Sequence, residues 1–334
     1  MKKIKFAVIG FGHIGKRHVE MINRNPNADI VAIIDINKDL KKLVDKIPFF
    51  QSIDEFLKSN IEIDVLNVAT PNGFHAEHSL LALENNFNVV IEKPMALNST
   101  DAKKIISKSN EVNKYVFTVM QNRYSPPSKW LKKIVEDKIL GQIYMIQLNC
   151  YWNRDERYYV KESWHGDKKL DGGTLFTQFS HFIDLIYWLF GDIKNIKTNL
   201  RDFNHENLTD FEDSGIVYFE LVDCEGIGSI NFSTSVFEEN LESSLTILAE
   251  NGSVKVGGQY MNKVDYCNVK NYKMPKLEDT RPGNDYGSYK GSAQNHDYVI
   301  ENVVNVMNKK AKIKTNAKEG YKVVEIIEKI YNSI

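Results

Sequence analysis

The chain has few cysteines and no long apolar run. Its 334 residues include three cysteines, Cys150, Cys224 and Cys267, which are odd in number, far apart and not spaced as metal ligands. This argues against a disulfide framework or a zinc site and favours reduced, mostly buried thiols. The opening MKKIKFAVIG has a run of only about five apolar residues, too short for a secretory signal or a membrane span. We therefore expect a cytoplasmic protein that binds no metal and no membrane.

The chain also lacks an excess of charge of either sign. It has 43 Lys+Arg against 44 Asp+Glu. No broad basic surface can therefore hold a phosphate backbone by counterion release, so nucleic acid is not an expected partner. Internal repeats, low-complexity segments and linkers rich in glycine or serine are missing too. The length is sufficient for two domains that each bury a core.

Short apolar runs alternate with helical patterns from residue 3 to about residue 120. This is the βαβ rhythm of a doubly wound parallel sheet, and it predicts a Rossmann domain over residues 1–120. The predicted strands are KFAVIG, DIVAIID, IDVLNVA, NVVIE and YVFTV. The predicted helices lie near residues 14–25, 37–46, 74–86 and 99–113.

The rhythm changes after QNRYSPP. A helix near residues 126–138 is followed by longer alternating stretches, which predict a largely antiparallel sheet flanked by helices. These stretches are YMIQLNCYW, GIVYFELV, GSINFSTSV and SSLTILAENGSVKVGG. Two more helices are predicted near residues 293–309 and 317–332. We assign residues 121–334 to one domain for substrate binding and oligomerisation.

Gly10, Gly12 and Gly15 form GFGHIG between the first predicted strand and the first helix, the context that the dinucleotide fingerprint requires. The glycines allow a tight turn, close approach of a pyrophosphate to the helix and close packing of helix on sheet. The second strand ends in Asp35, whose carboxylate would bind ribose hydroxyls and repel a 2′-phosphate. The pattern thus favours NAD over NADP. The alternative is a glycine turn with a solvated aspartate.

Two further strand ends have unusual chemistry. They are ATPNGFH, residues 69–75, and EKP, residues 92–94. Ligands of open α/β sheets bind beyond the carboxyl ends of the strands. The candidates at these ends are Thr70, Pro71, Asn72, His75, Glu92 and Lys93. In the alternative interpretation Glu92 and Lys93 form a surface ion pair of little value. Pro94 restricts Lys93 to extended geometry, which aims its ammonium group.

The segment DGGTLFTQFSHFIDLIYWLFG, residues 171–191, combines an apolar helical face with polar residues on another face. At 100° per residue the polar residues all fall within about 60° of the first of them. They are Thr174, Thr177, Gln178 and His181. Such a polar stripe favours contact with a ligand, because a buried helix rarely aligns hydrogen-bonding side chains without partners. The alternative for His181 is a core histidine bonded to a carbonyl group.

Taken together, these pieces resemble the Gfo/Idh/MocA oxidoreductases over essentially the whole chain. The shared pieces are GFGHIG, Asp35, ATPN with His75, EKP, the GG-x-L segment leading to His181 and Asp184, and EGYKVVEIIEKIYNSI. The resemblance implies that the nicotinamide lies between Lys93 and His181 and that one or both act as acid or base on a sugar hydroxyl. It also implies cofactor contacts at His13, Ile14, Ile36, Gln121 and Trp164.

Within that family the chain is most similar to the WlbA/WbpB subgroup. QNRYSPP, YWNRDERYY, SWHGDKKLDGG and TQFSHFIDLIYW support this, as does Thr177, where many other family members have aspartate. The resemblance implies oxidation by NAD of the 3-hydroxyl of UDP-N-acetylglucosaminuronate, on the way to a diacetamido uronic acid of surface polysaccharides. It further implies a homotetramer, with a dimer as the alternative, and 2-oxoglutarate as a candidate recycling oxidant. His165 departs from the subgroup, which usually has arginine there.

Roles for three residues follow from these expectations. A lysine has an ordinary pKa near 10.4, so a histidine is the easier base at neutral pH. His181 then takes the proton while Lys93 orients the hydroxyl and stabilises oxyanion charge, although the reverse assignment stays open. The planar fork of Arg123 matches a sugar carboxylate or a phosphate. An exposed arginine with no ligand is the alternative for that residue.

Two other functions remain open at this stage. One is another sugar or cyclitol dehydrogenase of the same family. The other is a regulator that binds NAD and a sugar without turnover, against which the presence of both Lys93 and His181 argues. Apolar side chains in GIVYFELV and SSLTILAE exceed what one helical layer covers, which favours an oligomer built on the second sheet.

Overall fold

A computed structural model describes residues 2–44, 46–161, 163–287 and 289–333. Strands and helices alternate over the first 120 residues. In chain order they are β1 (Ile4–Ile9), α1 (His13–Arg24), β2 (Ala28–Ile34), β3 (Phe49–Phe50), α2 (Ile53–Lys58), β4 (Val65–Val68), α3 (His75–Glu84), β5 (Asn88–Ile91), α4 (Ser99–Val112) and β6 (Val116–Thr118). Short 3₁₀ helices cover Lys38–Leu43 and Asn72–Phe74.

Long strands dominate the rest of the chain, and two helices end it. The elements are α5 (Pro126–Glu136), β7 (Ile143–Tyr151), α6 (Ser180–Phe190), β8 (Ile193–Arg201), β9 (Ser214–Leu221), β10 (Ile227–Ser233), β11 (Glu242–Ala249), β12 (Gly252–Gly257), β13 (Lys263–Val269), β14 (Gly283–Asp285), β15 (Lys290–Ala293), α7 (His296–Met307) and α8 (Ala317–Tyr331). A 3₁₀ helix at Gln121–Tyr124 precedes α5, and a π-helix at Leu175–Phe179 precedes α6.

The chain divides into two compact units. Unit 1 comprises residues 1–120 and 296–324, and unit 2 comprises residues 121–295 and 325–334. The sequence prediction placed all of 121–334 in one continuous domain, whereas by their contacts residues 296–324 group with unit 1. The Thr118 N–H donates to the carbonyl oxygen of Thr315 at 3.0 Å, and α7 packs against α1. Such long-range contacts leave no mark in local composition.

Unit 1 is built on a parallel sheet of order β3-β2-β1-β4-β5-β6, as traced through the described residues. Every residue of β4, β5 and β6 is buried, as expected for parallel strands that helices cover on both faces. The strand order reverses between β1 and β4. Ligands of such sheets bind at this switch point, beyond the carboxyl ends of the strands.

Two short elements of unit 1 differ from the sequence prediction. The predicted α-helix near 37–46 is a 3₁₀ helix over Lys38–Leu43 with no buried residue, and Asp45 lies outside the described residues. The prediction missed α2. Its signal is the S-x-x-E pattern of a capping box: Ser52 Oγ accepts from the Glu55 N–H at 3.1 Å, and Glu55 Oε2 accepts from the N–H of Gln51, one residue before the N-cap, at 2.8 Å.

Unit 2 is built on a mixed sheet of order β13-β12-β11-β7-β10-β9-β8 in the described part of the chain. All neighbouring strands are antiparallel except β7 and β10, which are parallel. Side chains alternate between buried and more exposed along β9 and β10, which matches a sheet with one face on the core. Phe182, Ile183 and Ile186 of α6 are buried, as is Phe179 at the end of the preceding π-helix.

The fold class predicted from the sequence is confirmed: a Rossmann domain is followed by a domain of largely antiparallel sheet with helices. No helix in the described ranges combines the length and the apolar character that crossing a bilayer requires.

Candidate active site

Three glycines form the turn between β1 and α1. Gly10 has a φ of +88°, and a Cβ on it would lie 2.5 Å from the carbonyl oxygen of Ala69. A Cβ on Gly15 would collide with the Gly10 carbonyl group, whereas one on Gly12 would meet nothing within 4 Å. No side chain of the described residues caps α1 at Gly12. The backbone N–H groups at this helix end therefore suit an anion such as a pyrophosphate.

Asp35 follows β2, and its carboxylate reaches the glycine turn. Oδ2 accepts a hydrogen bond from the Phe11 N–H at 2.6 Å, and Oδ1 accepts one from the Asn37 N–H at 2.8 Å. Each oxygen can accept a further hydrogen bond, so ribose hydroxyls can still be bound. The neighbouring Ile36 is 88% exposed. An exposed apolar side chain beside this carboxylate suits a flat ring such as adenine.

A buried histidine organises the connection after β4. His75 Nε2 lies 2.8 Å from the carbonyl oxygen of Thr70, and Nδ1 lies 2.7 Å from that of Pro94. Burial lowers the pKa of His75, against the opposing effect of the two carbonyl groups. Pro71 and the buried Asn72 lie in the segment that this ring ties to the loop after β5.

Glu92 is only 5% exposed, so it is not half of a surface ion pair. Its Oε1 lies 2.8 Å from His18 Nε2 and 3.6 Å from His296 Nε2. Asn67 Nδ2 lies 2.8 Å from His18 Nδ1, and when Asn67 donates there, the His18 proton faces Glu92. Burial opposes ionisation of Glu92, but the bond from His18 and the nearby His296 outweigh it and hold the pKa of Glu92 well below its usual value.

The ligand atoms of His18, Glu92 and His296 all lie within 4.8 Å of one another, close enough to consider a metal ion. Two ligands with bonds of about 2.1 Å to one tetrahedral ion would lie about 3.4 Å apart. His18 Nε2 and Glu92 Oε1 are 2.8 Å apart, which is a hydrogen-bond distance. We therefore interpret the cluster as a buried network that stabilises an ionised glutamate.

This network anchors the backbone of Lys93 on one side, and His75 anchors it on the other. Glu92 Oε2 accepts from the Lys93 N–H at 3.2 Å, while His75 contacts the carbonyl oxygen of Pro94. The Lys93–Pro94 peptide is cis, and the Lys93 side chain is half-buried. Lys93 therefore projects from a fixed segment rather than from a mobile loop.

In unit 2 the polar stripe differs from the predicted arrangement. Residues Leu175–Phe179 form a π-helix, whose wider turn breaks the 100° spacing on which the prediction depended. Thr174 Oγ1 donates to the Glu212 carbonyl oxygen at 2.5 Å. Thr177 Oγ1 lies 2.9 Å from the carbonyl oxygen of Asp171 and also contacts the Asp171 carboxylate. Protein groups thus bind both threonines.

Gln178 is oriented by an arginine that the sequence prediction missed. Arg154 Nε donates to Gln178 Oε1 at 2.8 Å, and Gln178 Nε2 lies 2.8 Å from the Tyr158 hydroxyl. The rings of Trp152, Tyr158 and Tyr289 lie 4.8, 5.1 and 5.0 Å from Arg154 Cζ. Burial lowers the pKa of Arg154. The aromatic faces offset part of the cost of burying this cation.

His181 lies in the first turn of α6 and is 2% exposed. Its ring centroid is 5.9 Å from that of Trp152 and 4.4 Å from that of Phe182. Trp152 is in turn held by a hydrogen bond of 2.8 Å from its Nε1 to Ser243 Oγ. The imidazole is thus placed by rigid aromatic neighbours in the core of unit 2.

Arg123 is buried and forms a bidentate pair with Asp184. Nε donates to Oδ2 at 2.8 Å, and Nη2 donates to Oδ1 at 2.6 Å. The sequence prediction assigned this fork to a sugar carboxylate or a phosphate, or left the arginine exposed. A protein carboxylate occupies the fork instead, because Asp184 stands one turn after His181 on α6 and faces the same core. Arg123 therefore holds α6 in place.

Four further residues are predicted to contact the cofactor: His13, Ile14, Gln121 and Trp164. Gln121 is buried in unit 2, and its carbonyl oxygen accepts from Asn295 Nδ2 at 3.2 Å. The ring of Trp164 packs on that of His165 at 3.9 Å between centroids. His165 Nδ1 lies 3.9 Å from Asp171 Oδ2, so the residue that departs from the subgroup is near a carboxylate. His13 and Ile14 begin α1 beside the glycine turn.

Two family models match nearly the whole chain. The model described as "Oxidoreductase family, NAD-binding Rossmann fold" matches residues 4–120, and the one described as "Oxidoreductase family, C-terminal alpha/beta domain" matches residues 132–334. The chain belongs to the Gfo/Idh/MocA oxidoreductase family.

Known Gfo/Idh/MocA proteins resemble it to different degrees. The WlbA dehydrogenase of Bordetella pertussis, solved with NADH and UDP-GlcNAcA, is 29% identical with a TM-score of 0.86, and the match covers 99% of this chain and 96% of that one. The Chromobacterium violaceum WlbA dehydrogenase, solved with the same two ligands, is also 29% identical, with a TM-score of 0.87 and coverage of 100% and 94%. A Bacillus subtilis glucose-6-phosphate 3-dehydrogenase is 27% identical over 77% of this chain and 72% of its own length.

These comparisons confirm the resemblance stated from the motifs, the oxidoreductase class and NAD as the cofactor. The glycine turn, the open end of α1 and Asp35 fit that cofactor. The roles of Lys93 and His181 stay predictions.

Sequence reasoning missed several residues of the site. His18 stands three positions after Gly15, where one turn of α1 directs it back toward the sheet. Arg154 lies within YWNRDERYY, and the aromatic residues around it are a signal for a buried cation. His296 carries no such local signal, because only the tertiary fold brings it to Glu92.

Proposed function

We propose that this protein uses NAD to oxidise the 3-hydroxyl of UDP-N-acetylglucosaminuronic acid to the 3-keto sugar, in the synthesis of a diacetamido uronic acid for surface polysaccharide. The observation that carries the proposal is the likeness, along 99–100% of the chain, to two WlbA dehydrogenases solved with NADH and UDP-GlcNAcA. Their identity of 29% exceeds the 16–20% of six further solved neighbours, whose likeness shows the fold alone. The relative named for a 3-dehydrogenase activity on a sugar phosphate supports a reaction at the same carbon.

In this proposal unit 1 binds the cofactor. The open amino end of α1 binds the pyrophosphate, and Asp35 binds the ribose hydroxyls and repels a 2′-phosphate. Ile36 packs on the adenine. The segment 70–75, which His75 holds in place, contacts the nicotinamide half of the cofactor. Bound NAD supplies the hydride acceptor.

The chain's own groups manage the proton. We assign a ring nitrogen of His181 as the group that takes the proton from the 3-hydroxyl oxygen, and the ammonium of Lys93 as the group that orients this oxygen and stabilises its developing charge. The anchored backbone of Lys93 and the aromatic packing of His181 support these roles, because the reaction rate falls steeply when a catalytic group is displaced. Thr177 and Gln178 are proposed to contact the sugar, with Gln178 turned by Arg154.

The test is NADH formation from UDP-N-acetylglucosaminuronic acid, followed by absorbance. Turnover with this sugar and none with free N-acetylglucosamine or glucose 6-phosphate is the expected result. Turnover with glucose 6-phosphate alone would replace the proposal with another sugar dehydrogenase. Tight sugar binding without any absorbance change would favour a regulator.

A second measurement addresses the fate of NADH. We propose that 2-oxoglutarate reoxidises the cofactor while it stays bound. With NAD far below the enzyme concentration, multiple turnover should then require 2-oxoglutarate. Equal turnover with and without the acid would contradict this part.

We also propose a homotetramer built on the sheet of unit 2. On the solvent face, Leu248, Met145 and Ile227 pair in register across β11, β7 and β10, and each is at least 38% exposed. Ile216 on β9 is 61% exposed on the same sheet. A second copy of the sheet would cover this row. Light scattering should give about four times the chain mass of 38.5 kDa, a dimer being the other acceptable assembly. A mass near 38.5 kDa at micromolar concentration would contradict it.

A further inference from the structure

The last residue of α8 contacts the beginning of the helix that bears His181. Tyr331 Oη accepts a hydrogen bond from the Leu175 N–H at 3.2 Å and donates one to Glu212 Oε1 at 2.7 Å. Its ring stacks on that of Phe176 with 5.9 Å between centroids. A side chain at Gly173 would collide with the Tyr331 hydroxyl, and Gly173 has a φ of +121°. One tyrosine thus contacts residue 173 and residues 175 and 176.

Glu212 contacts the same segment both directly and through Tyr331. Its carbonyl oxygen accepts from Thr174 Oγ1 at 2.5 Å, while its carboxylate accepts from Tyr331. Four successive residues, 173–176, are therefore held by Glu212 and Tyr331. Burial raises the pKa of the Tyr331 phenol well above its usual value, so it keeps the proton that it donates.

These contacts supply a partner for a backbone N–H group that the helix itself does not bind. The first N–H groups of a helix have no partner within it, and the Leu175 N–H is one of them. A hydroxyl that both donates and accepts can bind this N–H and a carboxylate at once, which a phenylalanine ring cannot. The segment is also where the π-helix Leu175–Phe179 begins, an uncommon turn with i→i+5 hydrogen bonds that is frequent at functional sites. A change of backbone pairing at this point would rotate every later side chain of the helix.

We infer that Tyr331 and Glu212 are positioning residues, which set the start of the π-helix and thereby the placement of Thr177 and His181. The inference rests on the proposed function, because it matters only if His181 acts on the substrate. The last two turns of α8, which belong to unit 2, then help to position the catalytic group, although Tyr331 is not itself a catalytic residue.

The main variant is Tyr331→Phe, which keeps the ring stacked on Phe176 and removes the hydroxyl. Glu212→Gln is the conservative partner, since the amide oxygen can still accept from Tyr331. The matched control is Tyr272→Phe, which removes another phenol hydroxyl that accepts a hydrogen bond in unit 2, from Trp130 Nε1 at 2.8 Å. Glu212→Met, which removes the acceptor and keeps the length, is the second variant should Tyr331→Phe fail to fold.

The first measurement is hydrogen exchange of the amides in residues 173–181, without any substrate. Tyr331→Phe should speed exchange of these amides by about tenfold or more, Glu212→Met should do so to a smaller extent, and Glu212→Gln and Tyr272→Phe should not. Exchange at the wild-type rate in Tyr331→Phe, or in Glu212→Met if only that variant folds, would overturn the inference.

The second measurement is NADH formation with UDP-N-acetylglucosaminuronic acid. Tyr331→Phe should lower kcat by about ten- to a hundredfold through displacement of His181, with the KM for NAD unchanged. Faster exchange with unchanged kcat would make the contact purely structural and overturn the positioning role. Absence of turnover in the wild type, together with the expected exchange result, would instead count against the proposed function alone.

Discussion

Glu92 Oε1 and His18 Nε2 form a hydrogen bond of 2.8 Å inside unit 1, where both side chains are buried. His296 approaches the same oxygen to 3.6 Å, so two imidazoles face one ionised carboxylate. The other oxygen of Glu92 accepts from the Lys93 N–H. The stability of unit 1 and the placement of Lys93 therefore depend on the same few atoms.

His18→Ala should be strongly destabilising. It removes the closest donor from a buried carboxylate, and leaving a buried acceptor without its donor costs about 1 to 3 kcal/mol of unfolding free energy, and more when the acceptor is charged. Urea denaturation measures the loss. The control is Lys104→Ala, which breaks the ion pair between Lys104, 60% exposed, and Asp101 and should cost less than about 1 kcal/mol. Similar losses in the two variants would show that Glu92 does not need His18.

Asp35→Ala should weaken the preference for NAD. The variant removes hydrogen bonds to the ribose hydroxyls, each worth roughly 1.5 to 3 kcal/mol for a charged acceptor, and the repulsion of a 2′-phosphate. The ratio of NAD to NADP affinity should fall by at least about tenfold. Titration of both cofactors measures it, with Asp39→Ala, an exposed acid paired with Lys42, as the control. An unchanged ratio would remove Asp35 from the cofactor site.

Lys93→Met should lower kcat by about a hundred- to a thousandfold, because it removes a charge where transition-state charge develops and keeps most of the side-chain length. NAD binding should survive, since the glycine turn and Asp35 are untouched. Single-turnover NADH formation measures the effect, with Lys104→Met as a surface control. A Lys93→Met enzyme within about threefold of wild type would leave His181 as the remaining catalytic candidate.

His181→Asn should also abolish most turnover. If His181 and Lys93 act on the same hydroxyl as one unit, the double variant should be little worse than the poorer single variant. Losses that multiply in the double variant would show that the two residues act in separate steps.

Glu212 should make stability depend on pH. Burial raises its pKa to about 7 from an ordinary 4.5, so the unfolded chain loses its proton at lower pH than the folded one. Stability from this group is therefore present at low pH and is lost as pH rises from about 4.5 to about 7. The unfolding free energy of Glu212→Gln minus that of the wild type should therefore increase by about 2 to 3 kcal/mol between about pH 5 and pH 8. A pH-independent difference would contradict the buried, protonated state.

Local patterns predicted the parts of this protein that neighbours along the chain decide. The mostly apolar run Ile4–Ile9, the glycine turn after it and Asp35 predicted the strand, the turn and the preference for NAD within a single βαβ unit. The same reasoning assumed uniform α-helical spacing across Leu175–Phe179 and so aligned Thr174 with His181. A π-helix is chosen by surrounding contacts such as those of Tyr331, which helical periodicity does not contain.

The sequence by itself therefore determined the Rossmann architecture, the change to a largely antiparallel second domain and the identity of the cofactor, because hydrophobic period and turn chemistry act over a few residues. Only the tertiary structure decided which side chains stabilise the buried charges. It paired Arg123 with Asp184, Arg154 with Gln178, and Glu92 with His18 and His296. A charge that leaves water requires a partner within hydrogen-bond distance, and the partner that folding supplies here is tens to hundreds of residues away in the chain.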